Sequence, residues 1–316
     1  MAKPTIANVA ELAGVSQATV SRALRGATNV TEETRIKVQR AADQLNFTLS
    51  KSASALASGK TMRVILLVSG KLNEWFNSGV LQGVYEELAP VGYDVTPAFI
   101  TDRSELDRFF SQLPKSRNAD AIIISSFQLM PAMRDQLQAI DLPTVGVNVP
   151  TESGYFDASV SIDNSSAMTM AVRLLRSLGH TNIAFCSDYI PADMVYNTSQ
   201  RTQAFADAAQ ANATDGITFS LLTADAHDAP LSKSDLASQL TAKLLSLPER
   251  PTAVCVETDQ VAIALVKELR KQQLNVPEDI SVLGFDDAEI AQAADLSTIR
   301  QEPIELGRIA GRKVLQ

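Results

Sequence analysis

A small all-α head followed by a two-lobed α/β body is the fold class that this sequence predicts. Three observations carry that expectation. Residues 1–46 hold three short helical stripes punctuated by capping residues and a glycine, residues 47–60 are small and polar, and from Arg63 onward β-branched runs alternate with amphipathic stretches. At 316 residues the chain is long enough for two or three compact units.

Composition narrows the class further. Apolar residues make up 45% and charged residues 20%, no run of about 18 apolar residues occurs, and the N-terminus lacks the basic-then-apolar pattern of an export signal, so the expected location is cytoplasmic. The two cysteines, Cys186 and Cys255, sit inside apolar runs and read as core thiols. Net charge is −8, yet it is unevenly spread: residues 1–60 hold eight Lys/Arg against four Asp/Glu, a balance of +4, which leaves −12 on the rest. A basic head on an acidic body suits phosphates at one end and a different partner at the other.

The first helix is predicted from Thr5 as N-cap, with Ile6, Val9, Ala10 and Ala13 forming one apolar stripe. Gly14 tolerates a left-handed backbone and turns the chain, and Ser16 caps a second helix from Gln17 to about Leu24 with Val20 and Leu24 inward. A small residue at Ala10, a glycine at Gly14 and a branched residue at Val20 have the spacing of a helix-turn-helix. A third helix, Thr31 to Leu45, sets Thr34, Val38, Ala41 and Leu45 on one face and closes a three-helix core. In such a unit the start of the second helix enters the major groove. Gln17 then faces base edges and can pair with adenine, Ala18 offers a methyl contact, and Arg22 reaches guanine or a phosphate. Thr5, Ser16, Thr19, Ser21 and Asn29 complete the expected DNA-facing set.

The stretch TIANVAELAGVSQATVSRALRG, followed by NVTEETRIKVQRAADQLNF, resembles the N-terminal signature of the lactose/galactose repressor (LacI/GalR) family over about 40 residues without gaps. In the linker, Lys51 to Ala57 lacks Pro and Gly and has the length of about two helical turns. The resemblance implies a hinge helix that folds on operator DNA, pairs with its twin in a homodimer and inserts Leu56 into the minor groove as an apolar wedge. Leu49, Ser50 and Ser54 depart from the family pattern there.

Ten strand-like runs follow, RVILLV, YDVTPAF, DAIIISS, PTVGVN, SVSID, NIAFCS, ITFSLLT, TAVCVET, ISVLGF and STIRQ, most of them separated by helical segments. The alternation predicts parallel sheets covered on both faces, and the number of strands predicts two lobes, split near Ser159, with ligand binding between them at the strand ends. SLGHTNIAF, NVPEDISVLGFDD and STIRQ resemble the family's sugar-binding core, which is similar to periplasmic sugar-binding proteins. That likeness implies a first lobe of about 61–159 and 298–316, a second of about 160–287, and three crossings between them. The chain ends at RIAGRKVLQ, inside a helix, where family members usually continue, so a shortened chain or a missing third crossing is expected.

A neutral polyol needs buried donors and acceptors and an apolar face. The resemblance implies that Arg201 donates to the ligand and that Asp286, Thr258 and Asp259 accept from it, with Thr258 standing where Asn is commoner. Asn148 stands where aspartate is frequent. Ser69, Asn73, Trp75 and Phe76 follow the first strand. Trp75, the only tryptophan, is a candidate stacking platform, while Phe76 reads equally well as core. His180 and His227 are isolated, and His180 belongs to a structural LGH turn.

The expected function is a sequence-specific repressor relieved by a small ligand, a sugar before other candidates. The alternative is a regulator that needs a corepressor, such as a purine, or a partner protein. No phosphate loop, nucleophile elbow, HExxH or metal-spaced Cys/His cluster occurs in the sequence, so no catalytic, metal or cofactor site is expected.

Overall fold

The computed structural model describes residues 4–27, 29–47, 60–116, 118–149, 155–190, 196–226 and 231–316. The hinge expectation, Lys51–Ala57 with Leu56, and His227 lie outside the described residues. The chain divides into two compact units, residues 1–63 with 118–120, and the remainder.

In the first unit, α1 (Ile6–Ala13), α2 (Gln17–Leu24) and α3 (Glu32–Gln44) form where the sequence places them, because each start is capped. The Thr5, Ser16 and Thr31 side chains accept from the backbone N–H of Asn8, Thr19 and Thr34, and the Asn8 side chain answers back to complete a capping box. Gly14 ends α1 at φ 66°, a conformation in which a side chain would be strained. Val9, Ala10, Val20, Ala23, Val38, Ala41 and Ala42 make the core, with Thr34 and Leu45 at its edge. A core this small rarely supplies more than about 3–5 kcal/mol, so the caps are a sizeable share of its stability.

The second unit holds two parallel five-stranded sheets. In the first half, β1 (Arg63–Ser69), β2 (Asp94–Ile100), β3 (Ala121–Ser125), β4 (Thr144–Val147) and β5 (Ala158–Val160) run in the order β2-β1-β3-β4-β5. In the second, β6 (Asn182–Ser187), β7 (Thr218–Thr223), β8 (Ala253–Val256), β9 (Ser281–Asp286) and β10 (Ser297–Arg300) run β10-β9-β8-β6-β7. The central strands β3, β4 and β8 are buried along their whole length, as strands covered on both faces must be. The helices are α4 (Trp75–Leu88), α5 (Arg103–Ser116), α6 (Pro131–Ala139), α7 (Asn164–Ser177), α8 (Asn197–Ala211), α9 (Lys233–Leu245), α10 (Asp259–Lys271), α11 (Glu289–Ala293) and α12 (Pro303–Val314). Alternate residues of β8 feed two cores: Ala253 and Cys255 join α7 and α8, and Val254 and Val256 join α9 and α10. Both cysteines are buried free thiols, and burial pushes the Cys255 thiol up to about 12.

One expected boundary is corrected. The resemblance assigns residues from 298 to the first half, yet Ser297–Arg300 pairs in parallel with Leu283–Asp286 and belongs to the second sheet. The chain returns to the first half only at α12, which packs along α4 so closely that a methyl at Gly83 would overlap the Ile304 carbonyl, and one at Gly307 the Val80 carbonyl. Glu86, Glu87, Glu305, Arg308 and Arg312 join the same two helices by ion pairs at their rim. Two crossings, near 161–163 and 301–302, join the halves within the described residues. His180 is structural here: its Nδ1 shares a 2.9 Å hydrogen bond with Thr252 Oγ1 at the start of the second sheet.

Candidate functional site

Two separate surfaces gather the residues that carry chemistry. In the head, Gln17, Ala18 and Arg22 are exposed and Ser21 half-exposed, on one face at the beginning of α2, since residues four apart stack on a helix. Ser16 and Thr19 are joined by a 2.9 Å hydroxyl contact at the cap, which takes them up locally and fixes the helix start. Arg22 folds over the same turn, its Nε 3.3 Å from the Ala18 carbonyl. Arg25, which sequence reasoning passed over, clamps Ser21 through the carbonyl at 2.9 Å and the hydroxyl. Thr5 is occupied by its capping box, and Asn29 is exposed beside α3.

In the body, the loops after β1, β4, β8 and β9 and the beginning of α8 carry the second group. Arg201, in the second turn of α8, is 2% exposed. Its guanidinium lies 3.7 Å over the Phe285 ring, donates from Nη1 to the Glu257 carbonyl and stands 4.0 Å from the Asp286 carboxylate. Its Nε has no partner within the protein. Asp286, at the end of β9, adopts φ 136° and Asp287 φ 58°, a left-handed pair that turns the chain sharply. Gln301 donates to Asp286, and burial, opposed by Arg201, pushes that carboxyl up to about 7.

Asn148, 3% exposed, sits at φ 50° just after β4, donates its backbone N–H to the Val160 carbonyl and leaves its Oδ1 unpaired. Thr258 is the residue before α10, and its Oγ1 caps nothing and has no partner. Across from them, the Tyr196 and Phe127 backbones bridge the two halves, and the Asn197 N–H donates to the Ser126 carbonyl at 2.9 Å. The start of α8 therefore touches the end of the first sheet.

Two of the expected site residues are engaged within the protein. Asp259 is fully buried and both its oxygens are taken, by the Ala288 N–H at 2.9 Å and by the Thr298 hydroxyl. It braces the loop after β9 against β10. Phe76 packs on the core of the first half. Trp75 is half-buried at the start of α4, Asn73 is exposed before it, and Ser69 offers its carbonyl to Asn77 at 2.8 Å.

Sequence reasoning missed five residues. Asn77 ties the loop after β1 by donating to the Ser69 and Lys71 carbonyls. Asn164 donates to Asn197 at 3.0 Å, and the Asn164 Oδ1 and Asn197 Nδ2 remain unpaired, as does the Gln301 Oε1. Glu257 is 5% exposed. Its carboxyl rises to about 7, first through burial and then through the nearby Asp188 charge, while the Asp188 backbone N–H holds it back. Asn197, one helical turn before Arg201, and the amides that open helices after strands were the available signals.

Buried amide, hydroxyl and guanidinium atoms without protein partners therefore stand with buried carboxyls at the strand ends of the second unit. Known proteins bear on both surfaces. Residues 5–50 match the profile of "Bacterial regulatory proteins, lacI family", and residues 172–316 match the "Periplasmic binding protein-like domain". The transcriptional repressor PurR of Vibrio cholerae serotype O1 (strain M66-2) is 30% identical over 99% of this chain and 90% of its own length.

The chain belongs to the lacI family.

Among other relatives, the ribose operon repressor of Lactococcus lactis is 27% identical over 98% of this chain and 90% of its own. The lac repressor dimer bound to operator and the anti-inducer ONPF has the same fold, with TM-score 0.82 at 23% identity, covering 100% of this chain and 92% of that one. The regulator CelR in complex with cellobiose aligns at TM-score 0.66 and 26% identity over 99% of this chain and 92% of that one. This lacI-family chain is accordingly a DNA-binding transcriptional repressor with an effector domain. Among the described residues no helix is long and apolar enough to cross a membrane.

Proposed function

We propose that this lacI-family repressor is a homodimer that loosens its hold on operator DNA when a sugar enters the polar cluster at the strand ends. The observation that carries the reading is the set of buried atoms without protein partners, Asn148 Oδ1, Asn164 Oδ1, Asn197 Nδ2, Arg201 Nε, Thr258 Oγ1 and Gln301 Oε1. Each unpaired buried group costs about 1–3 kcal/mol, and a polyol, with a donor and an acceptor at every hydroxyl, relieves several at once. The amide and hydroxyl character of most of them favours a neutral polyol over a phosphate ester. Cellobiose in the CelR complex and ribose in the name of the Lactococcus repressor point the same way.

In this reading Gln17, Ala18 and Arg22 read base edges and Leu56 wedges the minor groove. The head spans residues 1–46, the hinge 47–60 and the effector core 61–316, and the protein works in the cytoplasm. Asn148, Arg201, Thr258, Asp286, Asn164, Asn197 and Gln301 hold the sugar, with Trp75 as its apolar platform.

A thermal-shift screen of the full chain against pentoses, hexoses, disaccharides and nucleosides tests it. A sugar at 100 times its Kd adds about 2.7 kcal/mol to stability, so selective stabilisation by a sugar is the expected result. Stabilisation by nucleosides alone would contradict it.

A further inference from the structure

The chain passes from the head to the effector core once, and the core-side end of that passage is held by a carboxylate brought from 59 residues further along. Asp120 Oδ1 accepts from the Thr61 backbone N–H at 2.7 Å and from the Thr61 hydroxyl at 2.9 Å, and its Oδ2 accepts from the Met62 N–H at 3.0 Å. The Thr61 hydroxyl oxygen accepts from the Arg63 N–H at 3.2 Å, and the Arg63 carbonyl accepts from the Asp120 N–H at 2.8 Å. The network closes on itself where β1 begins and directly before β3. All of these residues fall in the first compact unit, where 118–120 group with 1–63.

The backbone at this point is strained. Met62 sits at φ 54°, and a non-glycine residue stays left-handed only where its surroundings over-determine it. Here the Asp120 carboxylate does so by taking the Met62 N–H and both donors of the residue before it. A similar but simpler clasp occurs at a strand that carries no linker: Asp157 Oδ2 accepts from the Thr144 N–H at 2.7 Å and hydroxyl at 2.8 Å, at the starts of β5 and β4. Fastening a strand end therefore needs only the Thr–Asp pair. The third bond and the left-handed turn are added at the linker.

We propose that Asp120 is a positioning residue for operator binding, the anchor that fixes the core-side end of the linker and so sets how far apart the two heads of a dimer can sit. A linker transmits a position only from a fixed end, and residues that terminate an element become hinges once they are free to change φ and ψ. Without the carboxylate, Thr61 to Arg63 would be such a hinge. This role rests on the dimeric reading, and it makes operator spacing the quantity that Asp120 controls.

The test uses an operator selected with the full chain from a random-sequence pool, and versions with one base pair inserted at its centre or removed from it. One base pair turns the half-sites by about 35° and shifts them by about 3.4 Å, so the parent should lose at least about tenfold in affinity on either altered version. Asp120→Asn should cut that penalty to about threefold or less and bind the selected operator more weakly. Thr61→Val, which removes only the hydroxyl, should move the same way by less, and it keeps the test decisive if Asp120→Asn does not fold. Asp157→Asn, which weakens the clasp without a linker, should lower the melting temperature and keep the parent's penalty. A full penalty in both Asp120→Asn and Thr61→Val, or the same relaxation in Asp157→Asn, would overturn the anchor and leave the dimer standing. A selected operator without two half-sites would overturn the dimeric reading and the anchor with it.

Discussion

The head and the effector core of this repressor use polar side chains in opposite ways. On α2, Gln17, Ala18 and Arg22 face solvent and the buried side is plain Val20 and Ala23, so recognition costs the fold almost nothing. In the core, Arg201, Asp286, Glu257, Asn164 and Asn197 are all buried, so the recognition proposed for this cluster would be built into the interior at the expense of stability. Readout of DNA should therefore be separable from folding, whereas the effector site should not.

The sharpest way to break that contrast is Arg201→Ala. It leaves the Asp286 carboxyl buried without its cation and the Glu257 carbonyl without its donor, and losing one partner of a buried pair typically costs about 3–5 kcal/mol. Urea unfolding of the core should show a loss of that order together with loss of the sugar-induced thermal shift, and a variant as stable as the parent would refute the account of the cluster. Next in size is Gly307→Ala. The methyl meets the Val80 carbonyl, and overpacking costs about 1–3 kcal/mol, so the same unfolding experiment should record a loss without any change in sugar specificity.

On the head side, Gln17→Ala should weaken binding to the preferred operator by about 1–3 kcal/mol, flatten selectivity at one base pair and leave the melting temperature unchanged. Binding titrations against operator variants check this. An equal loss on every sequence would mean that Gln17 only contacts the backbone.

A further effect is on pH. Glu257 and Asp286 titrate near 7 when folded and near the ordinary carboxylate range when unfolded. The folded chain then binds more protons between those values, so their contribution to stability is full below about 4.5 and is lost as pH rises through about 7. The ligand-free melting temperature should fall between pH 5 and pH 8, and Glu257→Gln should flatten the slope. A slope unchanged in that variant would remove Glu257 from the explanation.

The same contrast explains what could be read from the sequence. The head was legible almost to the residue because its logic is local: Thr5, Ser16 and Thr31 cap helices that begin one residue later, and Gly14 turns where a glycine must. The ten strands were legible too, since buried β-branched runs declare themselves. Of the candidate effector site, only Arg201, Asp286, Thr258 and Asn148 were marked in the sequence, by likeness to a family. Glu257 and Gln301 are anonymous in sequence, the internal partners of Asp259, Ala288 and Thr298, are long-range, and the choice between platform and core that the sequence left open at Phe76 is met by its packing on the first core. The return to the first half was misplaced because Ser297–Arg300 reads as a strand whichever sheet it joins, and pairing with β9 is a long-range choice.

The central claim, that a sugar controls the grip on DNA, is tested most directly by one titration. The full chain is bound to an operator selected from a random-sequence pool, and the half-saturating protein concentration is measured with and without the sugar that stabilises the chain most. Coupling of about 1–3 kcal/mol is usual between effector and DNA sites, so the account predicts weakening by roughly five-fold to a hundred-fold or more. Unchanged binding, or tightening, would contradict it.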